Sequence, residues 1–581
     1  MKIFKDHLHD AKASAHELLD TSRVFEHDLI KTLQCEGVDE GVGDEAVNVT
    51  SQLWEDSGLQ EYITSATITK GGGERLWKSV QNLTTDTKLL KNRQSVVLPD
   101  NCKEALEELA TYEKDVLWLC QVPDIKKAWP INMLFPTTFG LRLINNFPYL
   151  LEAFHIYRCY IAPWMNIITP VSTILGPWIY VRRSLQWAVP FTTYCKLLFT
   201  AVKAAFRVTG NLRRDLTRVI MVLVYVTLFI YTTVQSFQTA QMLRKIRRDL
   251  HDKLKAIRRF VAVAEGIISS TPSATLAAWG IDKSSVITEP IVIPNQINGM
   301  YRLMTDQHLQ TRLRTLIKAV YTLDICCTTR KLIDNRTCVP VEFATAHGFT
   351  AMWNMGHILL PTTQVRNPIA LQKNIIVTGP NAAGKTTYVR SIFTNMILAQ
   401  SLGIACASRA IIRPCNAIGT FIRVSDTLGK ASLFEAEAQR CAEMIKQARA
   451  VSEKGQAGLF FLDEPMHSTP PVEGMSTCRA VLEELAKMSG IRTVTTTHFI
   501  QVTDVAKDIP ESFMNLSMVA FKAPSDDVKS QYTFPYKIRS GSSSQCIALE
   551  LLKDHELPFE VVVRAIELKN KFCNDDVNES S

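Results

Sequence analysis

Three short segments in the second half of the chain have residue types and spacing suited to holding and splitting a phosphoanhydride. The first is NIIVTGPNAAGKTTYVRSIFTNMILAQ, residues 374–400. Ile375 to Thr378 is a β-branched apolar run that reads as a buried strand, Gly379 to Thr386 fits G-x-x-x-x-G-K-[ST], and a helical pattern follows. In that order the loop Gly379, Pro380, Asn381, Ala382, Ala383, Gly384 turns backbone N–H groups into its concavity, and the helix N-terminus adds positive potential. Lys385 can then reach the β- and γ-phosphates of a nucleotide, and Thr386 can ligate Mg²⁺.

The second segment, GLFFLDEP at 458–465, reads as a central strand over Leu459–Leu462 ending in two carboxylates. Asp463 would bind the metal through its water shell, and Glu464 would polarise the attacking water. The third, IRTVTTT at 491–497, is a further β-branched strand that ends at His498. A histidine at the C-terminal edge of a parallel sheet faces the ligand crevice, where it can hydrogen-bond the γ-phosphate or the water. A glycine turn and an ordinary acidic strand end would be the bland alternative, but the two motifs occur together and in the required order.

These segments, with FIRVSDTLGKASLFEAEAQRCAEMI (421–445), DEPMHSTPPVEG (463–474) and the tail YKIRSGSSSQCIALELLKDHELPFEVVVRAIEL (536–568), resemble the ATPase domain of MutS-type mismatch-repair proteins, relatives of ABC ATPases. The resemblance covers about 340–570 well and 245–335 weakly. It implies ATP and Mg²⁺ as cofactors, with Asn381, Gly384, Lys385, Thr386 and Thr387 on the phosphate loop, Thr386 and Asp463 on the metal, and Lys385, Glu464 and His498 in catalysis. Ser432 and Glu437 match the family's signature segment, which caps ATP on the opposite subunit, so a homodimer or heterodimer through this domain and DNA as a partner are implied. Three departures stand out. Pro465 to Thr469 replace the usual Gly-Arg-Gly-Thr, Ala382 stands where Met is common, and none of the 25 phenylalanines begins the Phe-x-Glu motif that wedges into mismatched DNA. The pattern is closer to cut-down members of the family, some of them encoded by large DNA viruses, than to a cellular mismatch sensor.

The elements around these motifs are of a different kind. With 581 residues there is room for three or four domains, and 46% hydrophobic against 21% charged residues excludes wholesale disorder. The excess of 65 basic over 57 acidic side chains is too mild to prove a nucleic-acid partner. Fourteen cysteines without a Cys-x-x-Cys pair signal neither a disulfide framework nor a zinc module, and the N-terminus lacks the apolar run of a secretion signal. An intracellular, reducing compartment, nuclear or cytoplasmic, is expected.

Residues 1–134 read as a helical region without a recognised motif, with loops suggested at Gly71–Gly73 and around Asn92 to Asn101. In 135–243 lie 23 uncharged residues between Arg158 and Arg182 and 25 more from Val219 to Leu243, each long enough to cross a membrane. They form either a membrane hairpin or a pair of buried helices. From Arg182 to Arg259 there are 16 Lys and Arg against three Asp, a balance that suits lipid or DNA phosphates equally. Residues 244–339 read as helical levers, and 340–581 as the nucleotide domain with its helical tail. The expected fold is therefore an α/β P-loop ATPase domain, ABC- and MutS-like, after mostly α-helical domains that include two very apolar segments. The expected function is an ATP-dependent DNA-binding machine for mismatch repair, recombination or related maintenance, with a membrane-anchored ATPase as the alternative.

Overall fold

The computed structural model describes residues 46–50, 52–120, 129–138, 140–184, 186, 188–205, 212–345, 347–422, 433–522 and 532–545, together with 547, 549, 558 and 560–568. These fall into two compact units. One takes its described residues from 108–265 and 288–317, the other from 46–107, 266–287 and 318–568. The units interleave along the chain and do not follow the four consecutive regions read from the sequence. Composition shifts mark changes of polarity and do not reveal which distant segments pair.

The second unit is built on a seven-stranded sheet whose spatial order is Asn48–Val49, Ala417–Phe421, Gly458–Asp463, Ile491–Thr496, Asn374–Thr378, Phe513–Met518 and Ile538–Ser540. All neighbours run parallel except the last pair, Phe513–Met518 with Ile538–Ser540. The β-branched runs are continuous rather than alternating because these strands are covered on both faces: all five residues of Asn374–Thr378 are buried. The helix Lys385–Ser401 packs on this sheet and is itself buried from Tyr388 to Ser401 apart from Arg390, with Phe393 tilted against Phe461 at 5.5 Å.

The edge strand Asn48–Val49 comes from the N-terminal region, where the sequence suggested helices and loops. Asn48 pairs in parallel with Ala417, more than 350 residues away. The expected loop at Gly71–Gly73 is also corrected, since these glycines lie inside the helix Lys70–Gln81. Their role is close approach: a Cβ on Gly71 would sit 2.2 Å from the Tyr321 ring, one on Gly72 2.5 Å from Asp324 Oδ2, and one on Gly73 2.4 Å from the Thr64 carbonyl oxygen. Removing side chains here lets the buried Asp324 carboxylate accept from Ile68 N at 3.0 Å and from Thr69 N and Oγ1 at 2.7 Å each. Thr69 Oγ1 in turn accepts from Gly72 N at 3.0 Å and caps the helix. Burial raises the Asp324 carboxyl above the ordinary aspartate range, and these hydrogen bonds oppose that shift.

The first unit is helical. Its longest element, Leu212–Ser270, carries a buried stripe at Ala240, Leu243, Ile246, Leu250, Leu254 and Ile257, and Lys253 reaches Asp115 at 2.8 Å beside the Trp118 ring. The alternative of two buried apolar helices fails here. Ala162–Ser184 and the first half of Leu212–Ser270 are helical as expected, but their apolar side chains are largely exposed. The eleven described cysteines are free thiols.

Gly73→Ala is expected to destabilise the second unit by about 1–3 kcal/mol through overpacking, because the atom it meets is backbone and cannot rotate away. Denaturant unfolding followed by tryptophan fluorescence measures this; an unshifted midpoint would refute the close-approach role.

Candidate functional site

The parallel strands deliver their C-terminal ends to one edge of the sheet, and the sequence-predicted residues meet there. Strand Asn374–Thr378 runs into Gly379, whose φ of 149° and whose approach to the Met518 carbonyl oxygen, 2.2 Å from a notional Cβ, exclude any side chain. Ala382 and Gly384 also have positive φ, and Gly384 is the N-cap from which the helix Lys385–Ser401 starts. The loop is therefore shaped so that it closes on a helix N-terminus.

Lys385 is buried, and its ammonium donates to the carbonyl oxygens of Gly379 at 3.0 Å and Pro380 at 3.2 Å. It lies 3.8 Å from Glu464 Oε1 and 3.4 Å from His498 Nε2. Burial lowers its pKa, with Glu464 and Asp463 opposing the shift. Thr386 Oγ1 donates to Asp463 Oδ2 at 2.8 Å, and Thr496 Oγ1 donates to the other oxygen, Oδ1. Register explains the second contact, since Asp463 and Thr496 are direct partners on adjacent parallel strands. Burial raises the Asp463 carboxyl above its ordinary value against these two hydrogen bonds.

Glu464 leaves the strand with φ 51°, a strained conformation for a residue with a side chain, fixed by its N–H donating to the Thr496 carbonyl oxygen at 3.1 Å. This turn aims the carboxylate at His498, whose Nε2 is 2.6 Å from Oε1. That contact holds the Glu464 carboxyl below the usual glutamate range, outweighing burial. The same edge bounds a cavity of about 740 Å³ lined by Asn381, Lys385, Thr386 and Glu464 together with Leu360, Val365, Asn367 and Tyr536.

Leu360, Val365, Asn367 and Tyr536 were missed by sequence reasoning, because two apolar residues, an amide and a tyrosine scattered over 360–536 form no motif. Asn367 explains the placement of Tyr536: its Nδ2 donates to the Tyr536 carbonyl oxygen at 2.8 Å and its Oδ1 accepts from Ile538 N at 3.0 Å. Glu437 is fully buried on the helix Leu433–Glu453. It accepts from Ser468 Oγ at 2.6 Å and lies 2.8 Å from His467 Nδ1, two residues of the segment that departs from the family pattern. Ser432 lies outside the described residues.

The site has the chemistry of a divalent-cation and phosphate centre. Thr386 and Asp463 offer two hard oxygen donors, enough for Mg²⁺, which keeps several waters and takes phosphate oxygens rather than an all-protein cage. Among the described residues there is no group of three or more His, Cys, Asp or Glu placed to hold a metal ion.

A glycine loop joined to a helix N-terminus, with two carboxylates and a histidine on neighbouring strand ends, defines a nucleotide-type site. Residues 375–573 match MutS domain V. Relatives include the DNA mismatch repair protein MutS of Haloquadratum walsbyi, 31% identical over 36% of this chain and 22% of that protein. The proteins of that name from Geobacillus sp. (strain WCH70) and Anaeromyxobacter sp. (strain K) are 25% and 34% identical over 44% and 35% of this chain and 29% and 22% of theirs. Over residues 375–573 the chain is similar to MutS domain V, and the similarity spans less than a third of the length of these relatives.

Replacing His498 with Ala should raise the Glu464 carboxyl from its position below the ordinary glutamate range, since burial is then opposed only by the charges of Lys385 and His467. Difference infrared titration of the carboxylate band against Glu464→Gln reads the shift, and an unchanged titration would show that the 2.6 Å contact does not hold the charge.

Proposed function

We propose that the chain is a MutS-type P-loop ATPase that hydrolyses ATP to ADP and phosphate and works on DNA in mismatch repair, recombination or related maintenance, without a Phe-x-Glu wedge. The observation that carries this reading is the convergence of Lys385, Thr386, Asp463, Glu464 and His498 at one sheet edge beside a cavity of nucleotide size. Asn381 to Thr387 bind the phosphates through backbone N–H groups and the Lys385 ammonium, which would exchange its carbonyl partners for phosphate oxygens. Leu360, Val365 and Tyr536 receive the base. Mg²⁺, held by Thr386 and through water by Asp463, would neutralise charge on the phosphates.

Glu464, ionised and fixed by His498, accepts a proton from a water aligned with the γ-phosphorus. As the water oxygen bonds to phosphorus, the bond to the β–γ bridging oxygen breaks and ADP leaves with that electron pair. A second subunit completes the pocket through the signature segment that contains Ser432 and Glu437, so a dimer is the working form. The names of the relatives support DNA as the partner.

Glu464→Gln should retain ATP and lose turnover by about 10²–10⁴-fold, as expected for a general base. Unchanged phosphate release would overturn the assignment. Mg²⁺-dependent turnover should fall as pH drops through the elevated Asp463 pKa, at a higher pH than an ordinary aspartate would give, because the protonated carboxyl no longer holds the ion's water shell. For the DNA reading, the binding constant for duplex or branched DNA should fall linearly with salt on a log–log plot. Absence of binding to either DNA at low salt would remove it.

A further inference from the structure

We propose that the stretch Val219–Val234 of the helix Leu212–Ser270 inserts into a lipid bilayer with anionic headgroups. The reading begins with exposure around the helix rather than with hydropathy alone. Val222, Leu223, Val224, Tyr225 and Val226 are 39%, 61%, 49%, 69% and 45% exposed. With 3.6 residues per turn, five consecutive positions face every direction, so no neighbour covers any side of the helix here. The most apolar 18-residue window of this helix has no buried residue, and among the described residues this is the one helix long and apolar enough to cross a membrane.

The other half of the same helix is the internal comparison. From Ala240 to Ile257 its apolar residues form one buried stripe, the pattern a protein neighbour requires. A groove or a coiled-coil copy would likewise cover one seam and leave the remaining circumference polar. Lipid is the solvent that contacts all sides equally. Soluble monomers rarely expose contiguous apolar patches beyond a few hundred Å².

Length and flanks agree with a bilayer. The exposed apolar part, Val219–Val234, is about 24 Å long at 1.5 Å per residue, most of the roughly 30 Å hydrocarbon layer. Three arginines lie between 213 and 218, and four Lys or Arg between 244 and 248. Where the apolar stretch ends, Trp164 stands edge-on to Phe237 at 5.3 Å and the Arg244 guanidinium lies 5.1 Å from the Tyr160 ring centre. Aromatic and basic side chains at one level are the composition of a membrane interface, and the positive charge selects phosphate-bearing anionic lipid.

This inference needs nothing from the nucleotide site, so the two readings can fail separately. The test is flotation of the full-length chain with vesicles of phosphatidylcholine and phosphatidylglycerol, followed by high-salt and sodium carbonate washes. Expected is co-flotation that survives both washes, stronger than with phosphatidylcholine alone. Leu223→Arg with Val226→Arg should abolish flotation while ATP binding persists, and Lys385→Ala should float like the parent. Three results overturn the proposal: a monodisperse detergent-free protein that stays at the bottom of the gradient, an oligomer that hides the helix without lipid, or release by salt or carbonate, which would reveal surface attachment of the basic flanks.

Discussion

The parallel register of three strands, Gly458–Asp463, Ile491–Thr496 and Asn374–Thr378, is the constraint on which the candidate site depends. Asp463 opposite Thr496, and Thr496 opposite Val377, bring the three chain exits to one edge. From there the geometry is local: Thr496 supplies a hydroxyl to Asp463 and a carbonyl to the Glu464 N–H, while Thr378 leads directly into Gly379. A slip of one residue would turn Asp463 and Thr496 to opposite faces and break the Thr386–Asp463 hydrogen bond. The continuous burial of these strands makes such a slip costly, since both faces are packed and every inward side chain has a fixed neighbour.

Electrostatics at this edge is a balance between burial and close partners. Lys385 and Asp463 are each driven by desolvation towards their neutral forms, and each is opposed by opposite charge or hydrogen bonds. Glu464 goes the other way because the His498 contact outweighs its burial. Two carboxylates that are adjacent in sequence thus have opposite tendencies, one inclined to take up a proton and the other to stay ionised. Their different environments come from the positive φ of Glu464, which turns its side chain away from Asp463 and towards His498. A strained backbone at this point gives two adjacent carboxylates separate surroundings.

The strand-end half of the candidate site was legible in the sequence because each residue follows a short, wholly apolar or β-branched run, Ile375–Thr378, Leu459–Leu462 or Val494–Thr497. Strand, loop and helix at 374–401 and the two later strand ends fall where the patterns put them. What the sequence hid are pairings over long separations. Nothing local in Asn48–Val49 announces the edge of a sheet centred more than 300 residues away, and Asn367 and Tyr536 become neighbours through backbone hydrogen bonds that leave no periodic trace. Glycines at 71–73 misled for a related reason. Their purpose is the space needed by Tyr321 and Asp324, which local propensity cannot see. The signature serine at 432 lies outside the described residues, so its relation to the site rests on resemblance.

The departure after Glu464 has a physical account of its own. Glu437 is completely buried, and a carboxylate in that position must be matched by donors or by positive charge. Ser468 supplies a hydroxyl to one of its oxygens and His467 brings Nδ1 to 2.8 Å of the other. In place of the Gly-Arg-Gly-Thr expected from the resemblance, this chain has Ser468, whose hydroxyl donates to Oε2, and His467, whose Nδ1 lies near Oε1 without a hydrogen bond to it. The backbone adapts as well: Met466, just before them, has φ 62° and is itself buried against Phe421 and Cys441. The positive influence of His467 extends to Glu464, where it adds to that of His498 and Lys385 in keeping the carboxyl ionised. A substitution that looks like a loss of family character is, in this chain, a link between the helix carrying Glu437 and the residue proposed to activate water.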